Sequence, residues 1–221
     1  VNIVKLGGSL LENGGLTALL DTLRELARAH HLLVVPGGGP FADAVRQACA
    51  LHDPGPSAAH WMAILAMDQH ARLLHGLLPA ARLATGPDEI ESAVGEGRLA
   101  LLAPFRWLHA EDPLPHGWHV TSDSIAAWVA RRLGARRLVL LKSLDGAPGP
   151  DGDLLAEVAP GAAALAGLVD EHFERALGSD LECWLLSGRH PARLVELLGG
   201  SRTCGTRVRR VRGRAEATGL P

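Results

Sequence analysis

Apolar positions repeat with two different periods along this chain, and the switches between them outline its elements. Residues 2–6 (NIVKL) are a short apolar run stopped by Gly7-Gly8-Ser9, which predicts a buried strand. Leu16, Leu19, Leu20, Leu23, Leu26 and Ala27 then recur at helical spacing and predict an amphipathic helix over 15–29. A second strand, Leu32–Val35, runs into Pro36-Gly37-Gly38-Gly39-Pro40, and a helix follows from about 41 to 51. Asp53-Pro54-Gly55-Pro56-Ser57 reads as a turn, with Ser57 capping a long helix over about 58–78. Short strands at 81–84 and 99–102 flank a helical piece at 87–94, and Pro104, Pro113 and Pro115 make 103–118 a loop. Thr121-Ser122-Asp123 opens a helix to about 133, Arg137–Leu141 is a strand, and 142–153 is a turn region rich in Gly, Pro and Asp. Helix is predicted over 160–178 and 191–198, with strands at 183–186 and 206–211.

Strands that alternate with helices predict an α/β protein, a three-layer αβα sandwich around a mostly parallel sheet. The 221 residues suit a single domain over 1–211, with 212–221 as a disordered tail.

Composition narrows the function classes. At 47% hydrophobic and 21% charged the chain is a folding sequence, and its formal charge of -2 lacks the basic field of a nucleic-acid binder. No apolar run approaches the length of a membrane span. Nothing resembling a leader precedes the first glycine turn, and three scattered cysteines suit a reducing compartment, so a cytoplasmic location is expected. No CxxC or HExxH spacing supports a metal site.

Of the 22 basic residues only Lys5 and Lys142 are lysine, and each ends an apolar run beside a turn. A compact ammonium that approaches a phosphate cannot be replaced by a planar guanidinium. Lys5 precedes Gly7, Gly8 and Ser9, and a second glycine turn, Gly37, Gly38 and Gly39, follows the next strand. Glycine lets backbone N–H groups approach an anion, and a following helix N-terminus adds partial positive charge, so the two turns suggest one phosphate chain held from two sides. A P-loop is absent, as are the protein-kinase HRD and DFG motifs. Gly37-x-Gly39-x-x-Ala42 fits a dinucleotide turn only formally, because the acidic residue expected further on, Asp53, sits before Pro54. For Asp123 the spacing weighs two roles equally: Ser122 or Asp123 caps the helix, or Asp123 holds both ammonium groups. On the long helix, His60 and Trp61 lie near the glycine turns, and Asp68 shares a face with Trp61 two turns on. These three are the candidates for recognising an acceptor, Trp61 by stacking on a ring and Asp68 by pairing with an amine.

KLGGSL at 5–10, PGGGPFAD at 36–43, TSDSIAAWVA at 121–130 and LLKSLDG at 140–146 occur in the order seen in the amino acid kinase superfamily, which this chain resembles over about residues 3–211. The resemblance implies an ATP- and Mg²⁺-dependent phosphotransferase, homo-oligomeric, with an acceptor-side lobe over about 1–120 and a nucleotide-side lobe over about 121–211. It assigns Lys5 and both glycine turns to the transferred phosphoryl group, Asp123 to organising the lysines, and Ser143, Asp145 and Gly146 to the nucleotide. Many members carry a second lysine in a TGGM-type segment; residues 170–182 contain neither, which leaves Lys142 as the remaining lysine. AHWMAILAMDQ at 59–69 and CWLLSGRHPARL at 183–194 look most like a subgroup associated with methanofuran-type cofactor synthesis. That likeness implies a phosphate-monoester acceptor converted to a diphosphate.

Overall fold

The computed structural model describes residues 1–12, 15–178 and 181–209. The seven expected strands form together with one the sequence did not suggest, β6; in chain order they are β1 (Asn2–Leu6), β2 (Leu32–Pro36), β3 (Arg82–Ala84), β4 (Ala100–Leu102), β5 (Arg137–Lys142), β6 (Glu157–Val158), β7 (Glu182–Ser187) and β8 (Thr206–Val208). The helices are α1 (Leu16–His30), α2 (Gly39–His52), α3 (Pro56–Leu77), α4 (Pro87–Gly95), α5 (Phe105–Glu111), α6 (Ser122–Arg132), α7 (Phe173–Leu177) and α8 (Pro191–Leu198). All eight strands join one sheet in the order β3-β4-β2-β1-β5-β7-β8-β6. Pairing is parallel except between β7 and β8.

The fold is the three-layer α/β sandwich that the alternation predicts. A central parallel strand is covered on both faces, so β1, β2 and β5 are apolar almost throughout. Val4, Leu6, Val34, Val139 and Leu141 pack with α1 and α8. Ile3, Leu33, Val35, Leu138 and Leu140 face the other way, against α3 and α6. Side chains alternate with period two, so Lys5 and Lys142 fall on the α6 face.

Three local expectations are corrected. The stretch 103–118 contains helix α5, because Pro104 and Pro113 flank that helix rather than interrupt it. Its first turn is anchored by Asp68, whose Oδ1 accepts the Phe105 N–H at 2.9 Å. The tract 160–178 holds only a 3₁₀ turn at Ala163–Leu165 and the short α7; Gly167 has φ +74 between them, a conformation that ends any helix. Ser57 does not cap α3, which starts from Gly55 with Pro56 in its first turn; the Ser57 hydroxyl instead meets His116 Nδ1 at 2.8 Å. The expected tail, 212–221, and the last two residues of the expected final strand lie outside the described residues.

Candidate active site

The strand order runs outward from β1 in both directions, so the carboxyl ends of β2, β1 and β5 border the crevice where open α/β sheets bind ligands. Lys5 pairs in register with Leu140, which puts Lys142 two residues further along the neighbouring strand and on the same face. Across that face lies α6, whose first turn carries Asp123. Asp123 Oδ1 is 2.9 Å from Lys5 Nζ and 2.9 Å from Lys142 Nζ, and its Oδ2 is 2.8 Å from Lys142 Nζ. One carboxylate thus joins two ammonium groups and leaves one positive charge in excess.

Lys5 and Asp123 are buried, at 4% and 5% exposed, while the Lys142 side chain keeps 16% exposure. Burial alone would push the Asp123 carboxyl up, but Lys5 and Lys142 outweigh it and hold the group below the usual carboxylate range. Lys142 is pushed down to about 8, first by burial and then by the charge of Lys5, against the pull of Asp123. Capping is left to another residue. Asp170, 46 to 49 positions downstream, accepts from the Thr121 N–H at 2.9 Å, the Thr121 hydroxyl at 2.8 Å, the Ser124 N–H at 3.0 Å and the Ser124 hydroxyl. The carboxylate of Asp123 is thereby free for the lysines, so of its two candidate roles the geometry selects the second.

The glycine turns are pressed together. A Cβ on Gly8 would sit 2.5 Å from the Gly39 Cα, and one on Gly7 would sit 2.8 Å from the Leu141 carbonyl oxygen. Gly39 also has φ +54. The Gly7 N–H donates to the Leu141 carbonyl at 3.0 Å and the Gly37 N–H to the Leu6 carbonyl at 2.8 Å. Gly38 and Gly39 begin α2, where N–H groups have no intrahelical partner and the helix dipole favours an anion. Fully buried His70 on α3 braces this turn by hydrogen-bonding the Gly37 carbonyl through Nδ1. A carbonyl only accepts, so Nδ1 carries the proton. Burial holds the ring's pKa down, leaving Nε2 a buried acceptor without a partner among the described residues.

A cavity of about 370 Å³ opens over these turns. Its floor is Gly8, Ser9 and Gly37–Gly39; Ile64 and Met67 of α3 and Ile125 of α6 line its walls; Asp43, Arg46, His60 and Trp118 stand at its rim. His60 is lowered to about 4, by burial first and by His116 second, and so enters the cavity as a neutral imidazole.

The model of the amino acid kinase family matches residues 1–147. The chain belongs to the amino acid kinase family. It is therefore a kinase, a phosphotransferase. Along 215 residues it is 28% identical to the [5-(aminomethyl)furan-3-yl]methyl phosphate kinase of Methanocaldococcus jannaschii, covering 94% of this chain and 97% of that one. Two solved structures share the fold. Uridylate kinase from Archaeoglobus fulgidus has a TM-score of 0.71 at 19% identity, over 94% of this chain and 100% of that one. UMP kinase from Ureaplasma parvum has a TM-score of 0.73 at 16% identity, over 94% and 95%.

In this kinase the acceptor-side candidates separate. His60 reaches the cavity, whereas Trp61 and Asp68 do not line it. They share a face as the spacing predicts, but that face meets α5: Trp61 packs edge-on to Phe105 at 6.0 Å and against His109 at 4.9 Å, and Asp68 holds the Phe105 N–H. Ser143, Asp145 and Gly146 follow Lys142 in a turn that leans toward β8 and α8. There Asp145 accepts from Arg193 at 2.6 Å, and the Ala147 N–H donates to Thr206 Oγ1 at 2.8 Å. Sequence reasoning missed Asp170, Arg46 and Trp118. Asp170 and Trp118 meet partners remote in sequence, and Arg46, paired with Asp43 three residues away, is tied to the cavity by its contact with distant Trp118.

Proposed function

We propose that this kinase transfers the γ-phosphoryl group of ATP to the phosphate of a small monoester and makes a diphosphate. The observation that carries the reading is the largely buried Lys5–Asp123–Lys142 cluster next to two closed glycine turns that floor a cavity of small-molecule size. Phosphoryl transfer is a matter of positioning and of neutralising charge on the moving group. Lys5 and Lys142 supply that charge as compact ammonium groups, Asp123 fixes their separation, and Gly8, Gly38 and Gly39 present N–H groups to phosphate oxygens. Ser143, Asp145 and Gly146, at the end of β5, are the proposed nucleotide contacts. A phosphate acceptor is already ionised near neutral pH, so the transfer requires no general base.

Among the described residues no three His, Cys, Asp or Glu side chains gather to hold a metal ion. Mg²⁺, expected to accompany the nucleotide, would add further charge neutralisation beside Lys5 and Lys142. The acceptor class is supported by the relative from Methanocaldococcus jannaschii, whose name gives it [5-(aminomethyl)furan-3-yl]methyl phosphate, and a role in methanofuran- or methylofuran-type cofactor synthesis follows from that likeness. The exposed leucines Leu65, Leu73 and Leu77, at intervals of eight and four residues along α3, support a homo-oligomer. A cytoplasmic setting, expected from the sequence, completes the reading.

The test offers purified protein ATP, Mg²⁺ and, in turn, that phosphate, UMP, isopentenyl phosphate, glutamate and acetylglutamate, with products read by ³¹P NMR. The expected product is a diphosphate of the aminomethylfuran compound. Phosphorylation of a carboxylate and of no monophosphate would overturn the proposal.

A further inference from the structure

Gly39, Asp43 and Arg46 stand at i, i+4 and i+7 along α2, so one helix face presents all three to the cavity. At a rise of about 1.5 Å per residue, Asp43 lies about 6 Å and Arg46 about 10 Å along the axis from the glycine turn. There Arg46 Nη1 is 2.6 Å from Asp43 Oδ1, and the guanidinium carbon is 5.0 Å from the centre of the Trp118 ring. Carboxylates and indole faces both recognise cations, and here they enclose one between them. Asp43 is also the acidic member among the described residues lining the cavity, while its neighbour on the rim, His60, is neutral. Both partners of the Arg46–Asp43 pair are more than half exposed, so the pair is weak and readily exchanged.

We propose that Asp43 and Trp118 form a subsite for a positively charged amine on the acceptor, and that Arg46 occupies it until the acceptor arrives. The inference rests on the function proposed above, in which Gly38 and Gly39 present N–H groups to phosphate oxygens; it sets the acceptor's phosphate at that turn and assigns the opposite end of the molecule. An aromatic ring with one methylene on each side, phosphate on one and ammonium on the other, spans roughly the axial distance from the glycine turn to Asp43. The ammonium then replaces the guanidinium on Asp43, and the ring or the ammonium takes its place on the indole. Arg46 has room to leave, since its side chain also borders an adjoining hollow that contains Asp53.

Calorimetry without ATP compares [5-(aminomethyl)furan-3-yl]methyl phosphate with the same phosphate carrying hydrogen in place of the amine, and turnover of both is then assayed. Wild type should bind the aminated compound about tenfold more tightly, a preference typical of a carboxylate–aromatic cation site. Asp43→Asn and Trp118→Leu should each erase that preference and leave the amine-free compound bound as in wild type. Arg46→Ala should bind the aminated compound at least as tightly as wild type, because the competing cation is gone. Equal affinity of wild type for the two compounds would overturn the proposal. So would loss of both compounds alike in Asp43→Asn, or weaker binding of both in Arg46→Ala, which would make Arg46 a phosphate anchor. Should wild type show the amine preference yet turn over neither phosphate, the subsite stands and the proposed function falls.

Discussion

Two charged clusters flank the glycine turns and differ in almost every physical respect: Asp43, Arg46 and Trp118 line the cavity, whereas Lys5, Lys142 and Asp123 lie behind its lining. Lys5, Lys142 and Asp123 project from two central strands and the first turn of α6, so strand register and a buried helix fix their positions. Asp43, Arg46 and Trp118 stand on the outer part of α2 and on the loop after α5, and solvent reaches all three. In the first cluster low dielectric strengthens the attraction between the charges, and the two lysines hold Asp123 ionised against the cost of burial; in the second, water and salt screen the pair. The contrast teaches a division of labour. Groups that must neutralise a transferring phosphoryl group are built where they cannot move, and groups that recognise an acceptor are built where they can be exchanged.

The deepest cluster should give the largest effects. Lys5→Ala should lower kcat by about 10³-fold at saturating substrates, the scale of losing one preorganised charge-stabilising group. Its fold should persist, because Asp123 keeps Lys142 as a partner. Lys5→Arg should be nearly as poor, since a guanidinium cannot take the place of a compact ammonium against the Gly8 turn. Near-native turnover by Lys5→Arg would break the claim that position, and not merely charge, is fixed here.

Asp123→Asn comes next. It leaves two buried ammonium groups facing each other without a counter-charge, and removing one partner of a buried ion pair costs about 3–5 kcal/mol. The protein can soften that loss by shedding the Lys142 proton, which is already lowered. Both outcomes reduce turnover, so kcat should fall together with the thermal midpoint. An unchanged midpoint with full turnover in a thermal melt and a rate assay would show that the cluster is dispensable.

Asp170→Ala removes one carboxylate that accepts four hydrogen bonds at the start of α6. Buried donors left unpaired cost about 1–3 kcal/mol, and the displaced helix turn should reduce kcat about tenfold with little change in the KM for ATP. A loss of stability with kcat intact would make Asp170 a purely structural cap.

Smallest of all should be Trp61→Phe and Asp68→Asn, which touch α5 rather than the cavity. Asparagine still offers an oxygen to the Phe105 N–H, so stability should change by under about 1 kcal/mol and the acceptor KM should hold. A large rise in that KM would redraw the boundary between the two regions.

The two clusters were also unequally legible in the sequence. Lys5, the glycine turns and Asp123 each belong to a local run of strand, turn and helix, and local runs are what periodicity reads. Lys142 stood out because the chain has just one other lysine. Choosing between the two roles of Asp123 required Asp170, whose capping bonds span 46 to 49 residues, and the Arg46–Trp118 contact spans a still longer gap. Trp61 and Asp68 show the limit from the other side: their shared face was correct, but what covers that face is α5, hidden among prolines that mark its borders. In the tract 160–178 apolar spacing suggested a helix, and the left-handed Gly167 decided otherwise.

The central claim is that Lys142 supplies the second buried ammonium. The most direct measurement is the pH dependence of kcat/KM for ATP, which reports the free enzyme. Lys142 is lowered to about 8, so its charge is present below that pH and lost above it. Wild-type kcat/KM should therefore fall as pH rises through about 8, and Lys142→Gln, already slow, should show no such alkaline limb. A wild-type profile flat to about pH 9.5, or an alkaline limb that survives in Lys142→Gln, would contradict the account, because the ordinary lysine value near 10.4 would then apply or another group would own the limb.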